Sequence, residues 1–259
     1  LLVARGWLGE GDLLFLDHHI NALAPYRYEI SNLQGSADGI TLSGSIPVSL
    51  SCTVNGSSLM LDGKVSLLQP GGTFKVKLQG LNVMAFKPYF AELIPGKLTS
   101  LQLDWETEVD VSPKLLNAKG RFKGSSIGLL LDALPEAPVD GAAVSLDYDF
   151  DLDLKQDRLD LRAATLDYNG LVARIAGQVS APSGQTAANL QLTIPGIKLR
   201  QAVAGLPHSL VQGLVDFDPA GSLSATALLS GDLAQPARLL KTASLVLDNV
   251  QGTAAGLRP

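Results

Sequence analysis

The chain has 259 residues, a formal net charge of −5, and 17% charged against 46% apolar residues. This length admits one large all-β unit or two ordinary domains, and the acidic balance argues against a nucleic-acid partner, whose phosphates need a basic footprint. No apolar run approaches the roughly 18 residues of a membrane helix, so the apolar side chains must be spread over faces.

In chain order, "LLVARGWLGEG" opens without an initiator methionine, a basic n-region or a small-residue cleavage site. The expectation is a fragment of a longer protein whose targeting signals lie outside it. The glycines of Gly6–Gly11 lack phosphate-loop spacing and a following lysine. Short helical patterns are expected over Phe15–Leu23, Ala85–Leu93, Ser126–Leu134, Lys198–Leu210 and Pro236–Leu240. The pairs Ile94-Pro95, Leu134-Pro135 and Leu206-Pro207 mark stops or kinks, because proline disfavours the helical region for its predecessor. Cys52, the single cysteine, admits no internal disulfide; within "SLSCTVNG" it reads as a small half-buried side chain rather than a nucleophile.

Elsewhere the dominant signal has period two, with segments near ten residues separated by Gly, Asn, Asp and Pro. Leu78–Val109 and Leu192–Gly231 each read as strand, short helix, apolar-Pro and a return to strands, an irregular internal repeat. The fold class expected is mainly β: an elongated antiparallel meander curved into a groove or open sandwich with an apolar inner face and a few short helices. The domain expectation is one continuous module over 1–259, divisible into sub-units 1–140 and 141–259.

The clearest stretch is "SLDYDFDLDLKQDRLDL", Ser145–Leu161. Asp147, Asp149, Asp151 and Asp153 alternate with Tyr148, Phe150, Leu152 and Leu154. With Gln156-Asp157 as the turn tip, Leu154 pairs with Leu159, Leu152 with Leu161, Asp151 with Arg162 and Asp153 with Asp160. A second hairpin is expected at Asn169-Gly170.

The aspartate row is the best metal candidate and fails on spacing. Alternate strand residues stand about 6.8 Å apart, whereas calcium needs six to eight oxygens at about 2.3–2.6 Å around a glycine turn. "DFDPAGS" reads as a β-turn around Pro219. His18 and His19 are adjacent and diverge, His208 is distant, and no serine sits in a nucleophile elbow. The expectation is no enzyme, no cofactor and no metal.

A sheet with one apolar face must cover it with a second layer or with an apolar ligand. Aromatics make up 5%, and a smooth aliphatic lining suits flexible acyl chains. The candidate lining is Leu146, Tyr148, Phe150, Leu152, Leu154, Leu159, Leu161, Ile175 and Val179. The alternative is a non-catalytic structural or interaction scaffold, a closed sandwich or solenoid of adhesin type.

The phrases "LDLRAATLDYNGLVARIAGQVSAP", "LQLTIPGIKLRQAVAGLP" and "AGSLSATALLSGDLAQPARLLKTASLVLDNVQGT" run in order within Leu159–Pro259. This region resembles the C-terminal part of AsmA-like proteins of Gram-negative bacteria, and "GLNVMAFKPYFAELIPGKLTSLQLDWE" is compatible with their upstream β-repeats. The resemblance implies a periplasmic β-groove held at the inner membrane by a segment outside this chain. It also implies phospholipid acyl chains as partners, contacts with the inner and outer membranes through other parts, and a role in phospholipid transport and outer-membrane biogenesis.

Overall fold

A computed structural model of the protein describes residues 2–19, 23–41, 44–68, 70–90, 96–132, 136–183, 186–207, 211, 218–235 and 238–252. Thirteen strands follow one another: β1 (Leu2–Asp17), β2 (Tyr26–Thr41), β3 (Ser45–Val54), β4 (Ser57–Ser66), β5 (Gly71–Asn82), β6 (Gly96–Val111), β7 (Leu115–Leu131), β8 (Val139–Asp153), β9 (Arg158–Tyr168), β10 (Leu171–Ser180), β11 (Ala187–Lys198), β12 (Ala220–Asp232) and β13 (Leu240–Gln251). They make one antiparallel sheet in sequence order, with β1 and β13 as its free edges, not closed into a barrel. The pairing of β7 with β8 carries the sheet across position 140 without interruption.

A sequential antiparallel meander sorts its connections onto two rims. The even-to-odd rim has connections of three to seven residues. The odd-to-even rim carries two helices. One is α1 (Lys87–Phe90), preceded by a 3-10 turn over Val83–Phe86, between β5 and β6; the other is α2 (Leu199–Gly205), between β11 and β12. Both lie at the places where the two repeat-like stretches have their short helical patterns, six strands apart.

One face is apolar from edge to edge. A single cross-strand row reads Leu8, Gly35, Leu50, Leu61, Val76, Thr107, Gly120, Tyr148, Ala164, Ile175, Leu192, Ala227 and Ala243, one residue per strand. Apart from the Tyr148 hydroxyl, Thr107 is the one polar member, and its hydroxyl donates to the Lys119 carbonyl at 3.1 Å. This satisfies the group without water.

Nothing among the described residues forms a second layer over this face. The accessible surface is 16475 Å², whereas a compact monomer of this mass exposes about 11,000 Å². Buried apolar residues are few, five of twelve being alanines such as Ala118, Ala142, Ala164 and Ala188, and Thr107 is the one side chain below 2% exposure among the described residues. The face instead shields itself laterally, aromatic rings lying over glycines. A Cβ added at Gly120 would meet Tyr148 Oη at 2.7 Å and the Glu106 carbonyl at 2.4 Å, and one at Gly63 would meet Phe74 Cδ1 at 2.7 Å.

Both helical connections fold over this same face. Phe86 stacks on Tyr28 of β2 at 5.2 Å between ring centroids, and Tyr28 also meets Phe15 at 6.1 Å and Tyr89 at 6.0 Å. Flat strands about 4.8 Å apart would leave β5 roughly 14 Å from β2, so the helical connection reaches back across the apolar side. At α2, Gly205 approaches Leu171 closely, and Asn169 Nδ2 donates to the Gly205 carbonyl at 3.2 Å.

Several local expectations are corrected. Phe15–Asp17 continue β1, paired with Tyr26–Tyr28, and His18 and His19 form the turn; the Phe15–Tyr28 cross-strand ring contact outweighs the helical pattern. The Ser126–Leu134 pattern is strand as far as Leu131: Ser126 adopts a left-handed φ of 54°, and Ile127 and Leu129 pair with Ala142 and Val139. Pairing with β6 and β8 on both sides overrides propensity there. Of Pro236–Leu240, Arg238 lies in a 3-10 turn, its amide donating to the Gln235 carbonyl at 2.9 Å, and Leu240 opens β13, while 236 and 237 lie outside the described residues. The Ala85–Leu93 and Lys198–Leu210 patterns contain α1 and α2. Leu206, before Pro207, is extended at φ −93°, ψ 155°, and ends α2. Ile94-Pro95, Pro135 and His208 lie outside the described residues.

Candidate functional site

The hairpin of the aspartate row forms two residues further from its tip than the sequence predicts. Leu154–Asp157 make a four-residue turn. The pairs are Asp153 with Arg158, Leu152 with Leu159, Asp151 with Asp160 and Phe150 with Leu161. Two side-chain bonds explain the longer turn. Asp153 Oδ1 accepts from the Lys155 and Gln156 amides at 2.9 Å each, and Asp157 takes a left-handed φ of 49°. A shift of two residues preserves facing, so the apolar side chains still share one face.

Eight of the nine predicted lining residues therefore meet on one surface. Leu146, Tyr148, Phe150 and Leu152 stand on β8, Leu159 and Leu161 opposite them on β9, and Ile175 and Val179 on β10 opposite Ala164 and Leu159. All eight are half-buried. Leu154 is the exception: it belongs to the turn, is 49% exposed and pairs with no strand residue.

Sequence reasoning left out the neighbours that continue this surface. Trp105 of β6 stacks on Phe122 of β7 at 5.4 Å, Phe122 meets Tyr148 at 5.6 Å, and Tyr148 meets Phe150 at 5.8 Å. Trp105 Nε1 donates to Tyr148 Oη at 2.8 Å across Gly120. This bond ties β6 to β8 and satisfies both polar tips within the apolar surface. The alternation "LQLDWETEV" carried the signal for Trp105; nothing local marked its contact with a residue 43 positions away.

The opposite face is a lattice of ion pairs. Arg121 grips Asp147, its Nη2 lying 2.9 Å from Oδ2. Arg162 sits at the bulge where β9 gains a residue against β8, and from there it reaches both Asp149 and Asp151, with its Nε 2.8 Å from Asp149. The predicted opposition of Asp151 with Arg162 and Asp153 with Asp160 is thus replaced: Arg158 stands opposite Asp153 and bonds Asp160 at 3.1 Å, and Arg162 bridges two rungs. Glu108 lies between Lys75 at 2.8 Å and Lys119 at 3.1 Å. The hydrogen bonds from Lys75, then Lys119, hold its carboxyl below the usual glutamate range. Among the described residues no group of three His, Cys, Asp or Glu side chains is placed to hold a metal.

A shallow depression of about 490 Å³ lies on this polar side of β4 to β7, lined by Lys64, Lys75, Glu108, Asp110, Lys119 and Arg162 among others. Within it Glu108 is paired with Lys75 and Lys119, and Arg162 is held by Asp149 and Asp151. Cys52 is buried on β3, and burial pushes its thiol up, which suits packing rather than nucleophilic attack.

No family model matches the chain, and neither a curated protein nor a solved structure matches it. None of these comparisons identifies an AsmA-like family.

Proposed function

We propose that this protein binds phospholipid acyl chains along its apolar face and, as a periplasmic part of a longer AsmA-like protein anchored in the inner membrane, conducts them towards the outer membrane. One observation carries the reading. A face that is apolar in thirteen consecutive strands has no second protein layer among the described residues. Contiguous exposed apolar patches beyond a few hundred Å² mark binding surfaces in soluble proteins.

The mechanism is passive. Alkyl chains lie on Leu152, Leu159, Leu161, Ile175 and their neighbours, while headgroups remain towards water at a rim. Full burial of a CH₂ contributes about 0.8 kcal/mol; a chain covered on one side realises a fraction of that, which lets it slide. The ion-paired outer face keeps the sheet soluble and discourages stray strand pairing.

The test is native mass spectrometry, with lipid extraction, of protein purified under mild conditions. Bound phospholipid is expected, with occupancy falling several-fold in Leu152→Asp and Leu161→Asp. Protein free of lipid, with no uptake from added phospholipid, would make the sheet a non-catalytic scaffold instead.

A further inference from the structure

The two rims differ in a way the lipid reading does not require. On the helix-bearing rim, α1 and α2 fold over the apolar face, Arg27 and Arg200 are ion-paired to Glu29 and Asp218, and Asp132, Glu136 and Asp140 offset the exposed Lys87, Lys97 and Lys198. On the short-connection rim, three successive turns present leucines to solvent. Leu67 and Leu68 follow β4, at 54% and 66% exposure, Leu115 follows the β6–β7 turn at 38%, and Leu154 opens the β8–β9 turn at 49%.

Two of these turns also carry a lysine beside the leucine. Lys114 precedes Leu115 and Lys155 follows Leu154; both are exposed and neither has an ion pair among the described residues. The local carboxylates are engaged elsewhere. Asp153 accepts the Lys155 and Gln156 amides, and Asp157 bonds Ser183. Same-rim turns in an antiparallel meander recur every second strand, about 9.6 Å apart, so the three tips form a row of roughly 20 Å.

We infer that this short-connection rim docks on an anionic lipid bilayer. Leu67, Leu68, Leu115 and Leu154 enter the headgroup layer, while Lys114 and Lys155 meet lipid phosphates. Exposed leucines alone would fit any apolar partner; the unpaired lysines beside them select a negatively charged interface, where each basic side chain near the surface contributes roughly fivefold in binding. Turn tips suit the task because their side chains project beyond the last ladder bonds, so insertion exposes no unpaired strand edge to hydrocarbon. The inference leans on the lipid reading for its biological sense, and its measurement is separate.

The experiment is co-sedimentation of the whole chain with vesicles of phosphatidylglycerol and phosphatidylcholine, against vesicles of phosphatidylcholine alone. Anionic vesicles should bind at least roughly tenfold better, with weakening in high salt. Two double variants, Leu68→Ser with Leu154→Ser and Lys114→Glu with Lys155→Glu, should each lose about tenfold or more. A control pair on the opposite rim, Lys87→Glu with Leu206→Ser, should leave binding unchanged. All six positions are exposed or near-exposed turn and helix sites, so circular dichroism should show folded protein. Equal binding by wild type and both rim variants, an equal loss in the control pair, or no vesicle binding by wild type would each overturn the inference. Lipid extraction from the same samples keeps the two ideas apart. Rim variants that fail to dock yet retain bound lipid support this inference. A wild type that docks but never carries lipid supports it too and sinks the acyl-chain reading.

Discussion

Strands β8 and β13 have nearly the same kind of sequence and very different surroundings. In β8, "SLDYDFDLD" alternates apolar and acidic residues, and every side chain from Val144 to Asp153 is half-buried. In β13, "LKTASLVLDNVQ" likewise sets Ala243, Leu245 and Leu247 on one face, with Val246 the apolar exception on the other, yet all twelve of its residues are exposed. β8 lies between β7 and β9, and its apolar side chains touch neighbours on both sides; β13 has β12 on one side and a free edge on the other. In a single-layer sheet shielding is lateral, so a side chain's burial depends on strands beside it rather than a layer above it. Alternation writes which face is apolar; position in the ladder decides how much of it leaves water.

The largest expected effect tests lateral packing at the centre. Gly120→Val should destabilise the protein by about 2–3 kcal/mol in urea unfolding, because the new Cβ collides with Tyr148 Oη and the Glu106 carbonyl. A mild effect would mean that Tyr148 does not lie over β7 as described. The contrast itself is read by a matched pair. Leu161→Ala should cost about 1–2 kcal/mol, below the full-core range because Leu161 is half-buried, and Leu247→Ala, at 53% exposure, should stay within about 0.5 kcal/mol. Equal costs would show that β13 is covered in solution.

A smaller effect belongs to the bond across Gly120. Trp105→Phe and Tyr148→Phe should each cost about 1 kcal/mol, and the double variant little more than either alone, since both remove one hydrogen bond. Additive losses would mean the bond is absent. The smallest effect is on the solvated face. Glu108 has a depressed carboxyl, so its contribution is present above the ordinary glutamate value of 4.5 and is lost as pH falls below it through the folded-state value. Comparing the acid limb of stability for wild type and Glu108→Gln should show a slightly steeper decline for wild type. Identical limbs would place Glu108 outside the lysine pair, and both residues' exposure keeps the effect small in salt.

Much of the candidate surface was legible in advance. The period-two pattern of Leu146 to Leu152 fixed one face of β8. Asn169-Gly170 specified its turn, with φ of 48° and 84° and Tyr168 paired to Leu171. The Leu154 assignment failed because the turn's length was set by Asp153 capping two amides, a competition between side chain and ladder that alternation does not record. The helical reading of Phe15–Leu23 and Ser126–Leu134 failed for another reason: short apolar runs fit either period, and the strands beside them chose.

By itself, then, the sequence determined the strand-rich class, the polar and apolar sides of β8 to β10 and the Asn-Gly hairpin, because these depend on residues within a few positions of one another. Tertiary structure decided that the apolar sides of thirteen strands join into one face, with no second layer among the described residues. It also placed Trp105 against Tyr148, set Arg162 between Asp149 and Asp151, and folded both helices over the apolar face. Those outcomes depend on strand order, register and bulges, which bring together residues that no local pattern links.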